Sequence, residues 1–125
     1  MTRIFVKICG LQTADQVDAA VESGADAVGF VFAESVRRVT AQVAANLSAS
    51  LPAHVKSVAV MLHPSDEELQ RVLHDFQPDV LQTDALDFAT LNVPDSIEQW
   101  PVFREGGASP STNGTYIFRH PLGWQ

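Results

Sequence analysis

The sequence has little of three things: cysteine, positive charge and long apolar runs. Its single cysteine, Cys9, excludes an internal disulfide and a multi-cysteine metal site, which leaves only the chemistry of a free thiol. The 8 Lys and Arg residues are dispersed and stand against 15 Asp and Glu residues, which excludes the basic patch of a nucleic-acid groove. No apolar run approaches the ~18 residues that cross a bilayer, and the stretch MTRIFVKICG has too short an apolar segment for a secretory signal. We therefore expect a cytoplasmic protein with neither a nucleic-acid nor a membrane partner.

What the sequence does contain is a strand pattern followed by a helix pattern, repeated about every 25 residues. Apolar segments that end at turn residues predict four strands: Ile4–Ile8, Ala25–Ala33, Val55–Leu62 and Asp79–Thr83. A helix is predicted after each of the first three strands, beginning at a residue that can cap its first turn: Thr13, Thr40 and Ser65. This alternation predicts an α/β protein with a parallel sheet.

The pattern weakens beyond Thr83. Asp95 is predicted to cap a short helix over Ser96–Trp100, and strands five and six are predicted over Pro101–Arg104 and Thr115–Phe118. Residues 105–114, rich in Gly, Ser, Pro and Asn, predict a mobile loop between these two strands. The four histidines lack metal-site spacing and are predicted to lie at the surface or in loops, so no metal site is expected.

Two architectures fit these elements. An open, doubly wound parallel sheet of five or six strands suits a chain of 125 residues. A (β/α)₈ barrel also alternates strands and helices, but it typically needs about 250 residues. Length alone favours the open sheet.

A resemblance favours the barrel. The segment VKICGLQTADQVDAAVESGADAVGFVFAESVRRVT closely resembles the start of the phosphoribosylanthranilate isomerase family of tryptophan biosynthesis, and the likeness continues through LPAHVKSVAVML and PDVLQTD. It covers Arg3–Asp84. The resemblance implies a (β/α)₈ TIM barrel, of which residues 1–125 form a single partial domain with the first five to six βα units.

The resemblance also implies a reaction, the Amadori rearrangement of N-(5'-phosphoribosyl)anthranilate, which needs an acid and a base but no cofactor or metal. Cys9 matches the family's general base, and it follows the first strand at the end where such barrels place their active sites. A thiol with an ordinary pKa of about 8.5 needs only a modest lowering to act as a thiolate near neutrality. From the residues alone, Cys9 could equally be a small buried apolar residue.

Three further residues are candidates for substrate binding. Lys7 lies two residues before Cys9, on the same side of the strand, and could favour the thiolate or contact the substrate. Arg37 matches the arginine of the family's loop after strand two, a contact for the anthranilate carboxylate or ring; its neighbour Arg38 is the alternative. Asp84 replaces the family's histidine after strand four and could hydrogen-bond the substrate, although a polar strand-end role explains it equally well.

The general acid is not identified. The family's aspartate at the end of strand six has no counterpart here, and Asp87, Asp95 and Glu105 are substitutes that match no motif. The phosphate-binding loops would follow Gln125, so little activity is expected of residues 1–125 alone. The alternatives are a non-catalytic half-barrel remnant or interaction module, and another phosphosugar-binding TIM barrel. The exposed sheet edges of a partial barrel also predict a homodimer.

Overall fold

The computed structural model describes residues 4–103, which form one five-stranded parallel sheet covered on one face by helices. The strands are β1 Lys7–Cys9, β2 Ala27–Val31, β3 Lys56–Val60, β4 Val80–Asp84 and β5 Glu98–Val102. The helices are α1 Ala14–Glu22, α2 Ala41–Ser48 and α3 Asp66–Phe76, with a 3₁₀ helix at Ala85–Ala89. None of the helices within residues 4–103 is long and apolar enough to span a membrane.

The strands lie in the sheet in the same order as in the chain, β1-β2-β3-β4-β5, and every neighbouring pair is parallel. A doubly wound sheet would instead reverse its strand order at a switch point. The doubly wound alternative is therefore wrong, because each crossover in this sheet moves one strand further in the same direction. This is how a barrel is wound.

The sheet also curls, as contacts between residues of β1 and β4 on its inner face show. Lys7 of β1 donates a hydrogen bond to the side chain of Gln82 of β4, although β2 and β3 lie between them. In a flat sheet, strands three places apart would be separated by about 14 Å. Phe5, just before β1, similarly stacks edge-on against Trp100 of β5, with ring centroids 5.6 Å apart. The described strands therefore form an arc that closes toward this face.

Local capping explains where the three helices begin. The hydroxyl of Thr13 accepts a hydrogen bond from the Gln16 amide at 3.2 Å, and Thr40 does the same for Val43 at 3.2 Å. Ser65 caps α3 in the same way. All three predicted helix starts are confirmed.

Strand periodicity divides the buried side chains between two faces of the sheet. The outer face packs against the helices in a large apolar cluster that includes Val28, Phe30, Ala59, Leu69 and Leu81. The inner face carries a second cluster of Ala27, Val31, Ala33, Val58, Val60, Val80 and Trp100, with Cys9 and Leu62 packed against it. Alternate residues of β2, β3 and β4 go to opposite clusters, as a period of two requires.

The main differences between the predicted elements and the structure lie in the first strand and in the region around Asp95. β1 begins at Lys7 rather than Ile4, and Ile4 is 79% exposed; the ladder to β2 starts only where Val6 accepts hydrogen bonds from the amides of Asp26 and Ala27. The short helix over Ser96–Trp100 is wrong, because Glu98–Val102 pairs along its whole length with β4 and forms β5.

Asp95 consequently lies in an exposed turn and caps no helix. The predicted fifth strand is present but begins three residues earlier, at Glu98 rather than Pro101. The predicted sixth strand and the loop at 105–114 lie outside the described residues.

Candidate functional site

Cys9 is the last residue of β1, and its thiol lies on the inner face of the sheet. Its partner in the ladder is Gly29 of β2. A Cβ atom added to Gly29 would lie 3.2 Å from the Cys9 Sγ and 3.2 Å from a methyl group of Val60. The missing side chain of Gly29 therefore makes the space that the thiol occupies.

Arg37 lies directly over the residue that follows Cys9. Gly10 has a φ of +84°, and a Cβ at that position would stand 2.6 Å from the Arg37 Cδ. Arg37 belongs to the loop after β2. In this loop the Ser35 hydroxyl accepts a hydrogen bond from the Arg37 amide at 3.1 Å. The absence of a side chain at Gly10 lets the arginine lie flat against the end of β1.

Lys7 shares the inner face with Cys9, as the period of the strand predicts. Its ammonium group donates a hydrogen bond to the side-chain oxygen of Gln82. Gln82 is fully buried, in the middle of β4. Sequence reasoning did not single out Gln82, although a polar residue at an inward position of an otherwise apolar strand was the available signal.

Burial and the charges around the thiol act on its pKa in opposite directions. Burial raises the pKa of the Cys9 thiol above its ordinary value, and this effect outweighs the lowering by the Lys7 ammonium, the Gly10 amide and the Arg37 guanidinium. Burial likewise lowers the pKa of the Lys7 ammonium, against the raising effect of a Cys9 thiolate. The modest lowering that a thiolate near neutrality would need is therefore not the net effect on the Cys9 pKa in this structure, although both cations that could lower it are in place.

Asp84 lies at the carboxyl end of β4, the same edge of the sheet as Cys9 and Arg37. It is buried, and its Oδ1 accepts a hydrogen bond from the Leu86 amide at 2.9 Å, which caps the 3₁₀ helix. The structure thus brings Lys7, Cys9 and Arg37 together at β1. It places Asp84 on the same edge, with a structural role already assigned to one of its oxygens.

Asp87 is poorly suited to be the general acid. Its carboxylate accepts hydrogen bonds from the Thr83 hydroxyl at 2.7 Å, from the His63 amide at 2.9 Å, and is 2.8 Å from the His63 Nδ1. Burial raises the pKa of this carboxyl, but the hydrogen bonds outweigh burial and hold it below its ordinary range. An acid catalyst must keep its proton near neutral pH, which this carboxyl does not.

The remaining candidates give no acid either. Asp95 is exposed in a turn, and Glu105 lies outside the described residues. Of the histidines, His54, His63 and His74 are all exposed, and His63, in the loop after β3, is bound to Asp87. His120 lies outside residues 4–103.

A cavity of about 470 Å³ borders this site. Its lining includes Cys9, Gly10 and Arg37, and it continues along α1 past Gln16 and Ser23. The volume falls in the range of small-molecule pockets, about 300–1,000 Å³. Cys9 and Arg37 therefore both contribute to the lining of this cavity.

This site sits within a segment that matches a known family. The family model described as N-(5'phosphoribosyl)anthranilate (PRA) isomerase matches residues 6–99. The chain belongs to the phosphoribosylanthranilate isomerase family. That membership decides against another phosphosugar-binding barrel.

Curated relatives agree with the family assignment. The N-(5'-phosphoribosyl)anthranilate isomerase of Listeria monocytogenes serotype 4b is 47% identical over 79 residues, which cover 63% of this chain and 39% of the relative. The Streptococcus pneumoniae isomerase is 40% identical over 114 residues, covering 90% of this chain and 57% of the relative. The chain thus spans 39% to 57% of the length of these relatives.

Solved structures of phosphoribosylanthranilate isomerases have the same fold. One, in complex with reduced 1-(o-carboxyphenylamino)-1-deoxyribulose 5-phosphate, matches with a TM-score of 0.69 and 29% identity over 82% of this chain and 54% of that chain. Another, of monomers generated from the dimeric isomerase of Thermotoga maritima, matches with a TM-score of 0.68, also at 29% identity, over 82% and 54%. These structures are TIM barrels, so the sheet of residues 4–103 is part of a TIM barrel.

Proposed function

We propose that the protein isomerises N-(5'-phosphoribosyl)anthranilate in tryptophan biosynthesis, with Cys9 as the general base. The observation that carries this proposal is the position of the thiol. Cys9 lies at the carboxyl end of β1 and, with Arg37, lines a cavity, in a chain of the isomerase family. Active sites of TIM barrels are built at this end of the strands.

In the proposed reaction, an acid opens the ribose ring and the Cys9 thiolate removes the proton from C2 of the resulting Schiff base. The raised pKa of Cys9 means that the thiol holds its proton at neutral pH when no substrate is bound. It also means that the thiolate, once formed, is a stronger base. The Lys7 ammonium and the Arg37 guanidinium favour the thiolate through their positive charge.

Of the remaining candidate residues, Arg37 and Asp84 are proposed to bind the substrate. A guanidinium can pair with a planar carboxylate through two hydrogen bonds, so Arg37 is assigned the anthranilate carboxylate. Asp84 is assigned a hydroxyl group of the ribose chain, because its carboxylate can accept hydrogen bonds at the same edge. Lys7 is assigned to stabilising the Cys9 thiolate rather than to binding the phosphate, since it lies two residues before Cys9 on the inner face.

The proposal covers a whole barrel, and residues 1–125 alone are expected to have little activity. The general acid and the phosphate clamp are not assigned within residues 4–103. A homodimer in the cytoplasm is proposed as the working form, and the exposed apolar side chains of Ile4, Phe5 and Val6 support it.

Complementation of a tryptophan auxotroph that lacks this isomerase tests the function. We expect a gene that encodes the whole barrel to restore growth without tryptophan and its Cys9→Ser variant to fail, because a hydroxyl group keeps the size of the thiol but not its acidity. Purified Cys9→Ser protein should lose about 10²–10⁴-fold in turnover while its unfolding transition stays in place.

Two outcomes would contradict this proposal. Growth restored equally by Cys9→Ser would remove the proposed base. No growth from either gene, with both proteins present in the cells, would favour a non-catalytic member of the family.

A further inference from the structure

The least expected side chain of the inner face is Gln82. It is fully buried in β4, at an inward position between Val80 and Asp84. Its side-chain oxygen accepts the hydrogen bond of the Lys7 ammonium across the curl of the sheet. Its Nε2 is buried and has no hydrogen-bond partner among residues 4–103.

The chemistry of the pair fixes the orientation of the amide. An ammonium group has only donors, so the oxygen of Gln82 and not its nitrogen must face Lys7. This orientation leaves the buried Nε2 without a partner in the described part of the chain, which is costly for a polar atom. A leucine or methionine of similar size would avoid that cost. Stability of the described sheet therefore does not account for a glutamine here, whereas the bond to Lys7 does.

The bond to Gln82 is one contact that holds Lys7 in place. A lysine has a long, flexible stem and normally directs its ammonium group into water. The bond to Gln82 holds the group instead on the inner face, two residues from Cys9 on the same strand. There its positive charge acts on the thiol.

We propose that Gln82 is a positioning residue, whose side-chain oxygen holds the Lys7 ammonium beside Cys9 and thereby sets the fraction of the thiol that is ionised. The chain of contacts runs from β4 to β1, so ionisation of Cys9 depends on Gln82, which is 75 positions from Lys7 in the sequence. The significance for catalysis rests on the proposed role of Cys9 as base, but the effect on the thiol itself does not.

The single cysteine makes this effect directly measurable. The rate of alkylation by iodoacetamide, followed as a function of pH on the full chain, reports the pKa of one thiol. In Gln82→Leu we expect the midpoint to move to higher pH and the rate at pH 8 to fall about three- to tenfold, since one pKa unit corresponds to about a tenfold change in thiolate. Gln82→Met, which also lacks a hydrogen-bonding group, should behave in the same way and serves if the leucine variant does not fold.

A double-variant cycle shows whether Gln82 acts through Lys7. Lys7→Met should raise the midpoint at least as far as Gln82→Leu, and adding Gln82→Leu to Lys7→Met should change nothing more. Thr83→Val is the matched control, because Thr83 is also fully buried in β4 but its hydroxyl bonds to Asp87, away from Lys7. Its alkylation profile should equal that of the unsubstituted protein.

An unchanged profile in Gln82→Leu and Gln82→Met would overturn the inference, as would an equal shift of the midpoint in the presence and absence of Lys7. These results are independent of the proposed function. Turnover that survives Cys9→Ser would end the assignment of the base but leave the alkylation profiles as they are.

Discussion

The two faces of the sheet differ in chemistry although they alternate along the same strands. The outer face is apolar where it meets the helices, and Phe30 of β2 packs edge-on against Phe76 of α3 with ring centroids 5.5 Å apart. The inner face carries polar side chains among its apolar ones, including the half-buried Lys7 and the fully buried Gln82. Register therefore separates residues that hold the fold from residues that can carry chemistry, and moving one position along a strand changes the role.

The inner face is itself divided between the two ends of the strands. At the amino end, Lys56 of β3 forms an ion pair with Glu98 of β5 at 2.6 Å, and the Trp100 indole donates to the same carboxylate at 2.5 Å. At the carboxyl end lie Cys9 and Arg37. In TIM barrels, the carboxyl end bears catalysis and the amino end stability. Substitutions on each face and at each end can test this division.

The largest effect on stability is expected from the outer face. Phe30→Ala would leave a cavity in the cluster formed with Phe76 and Phe32, and should lower the free energy of unfolding by about 3–5 kcal/mol. Unfolding in urea, followed by circular dichroism, measures this change. The reactivity of Cys9 should be unchanged in the fraction that remains folded. A loss below about 1 kcal/mol would show that the outer cluster is not the main source of stability.

Much of this outer framework was predictable from the sequence because its signals are local. The hydroxyl groups of Thr13, Thr40 and Ser65 cap helices within their own first turn, and the apolar run at Ala27–Val31 is a fully buried strand. The region after Asp84 was not predictable in this way. Asp95 carries a local capping signal, but β5 is formed by pairing with β4, a long-range contact that overrides the local preference.

The residues of the site could be predicted from the sequence, but their burial, their partners and the direction of the Cys9 pKa could not. Cys9, Lys7 and Arg37 follow from motif and strand period, and the structure brings them together. The direction of the Cys9 pKa was not foreseen, because burial depends on the whole curl of the sheet. Gln82 was missed because its partner Lys7 is 75 residues distant.

A smaller effect, on chemistry rather than on fold, is expected at Gly29. In Gly29→Ala the new methyl group would stand 3.2 Å from the Cys9 Sγ and from Val60, so one of the two must shift. The backbone of Gly29 has no left-handed strain to complicate the substitution. We expect about a 10–100-fold loss in turnover, as for a displaced catalytic group, with a loss of stability of about 1–3 kcal/mol from overpacking.

Ala59→Gly is the control for Gly29→Ala, because Ala59 is a small buried residue of the neighbouring strand that faces the helices. It should cost stability of the same order through loss of packing and backbone entropy, and leave turnover unchanged. Equal turnover in Gly29→Ala and the unsubstituted protein would contradict the placement of the thiol over Gly29.

The smallest effect is expected at the amino end of the inner face. Burial raises the pKa of the Glu98 carboxyl, but hydrogen bonds from Lys56 and Trp100 outweigh burial and lower it below its ordinary value of 4.5. A carboxyl whose pKa is lowered in the folded state stabilises the fold at pH values above its ordinary pKa. This stabilisation is lost as the pH falls through the lowered pKa. Since the Glu98 side chain is 38% exposed, the contribution should be below about 1 kcal/mol.

Glu98→Gln should therefore be slightly less stable than the unsubstituted protein at pH 7, equally stable near pH 3, and unchanged in turnover. Urea unfolding at the two pH values measures the first two, and a turnover loss as large as that of Gly29→Ala would show that the amino end of the inner face serves the reaction as well.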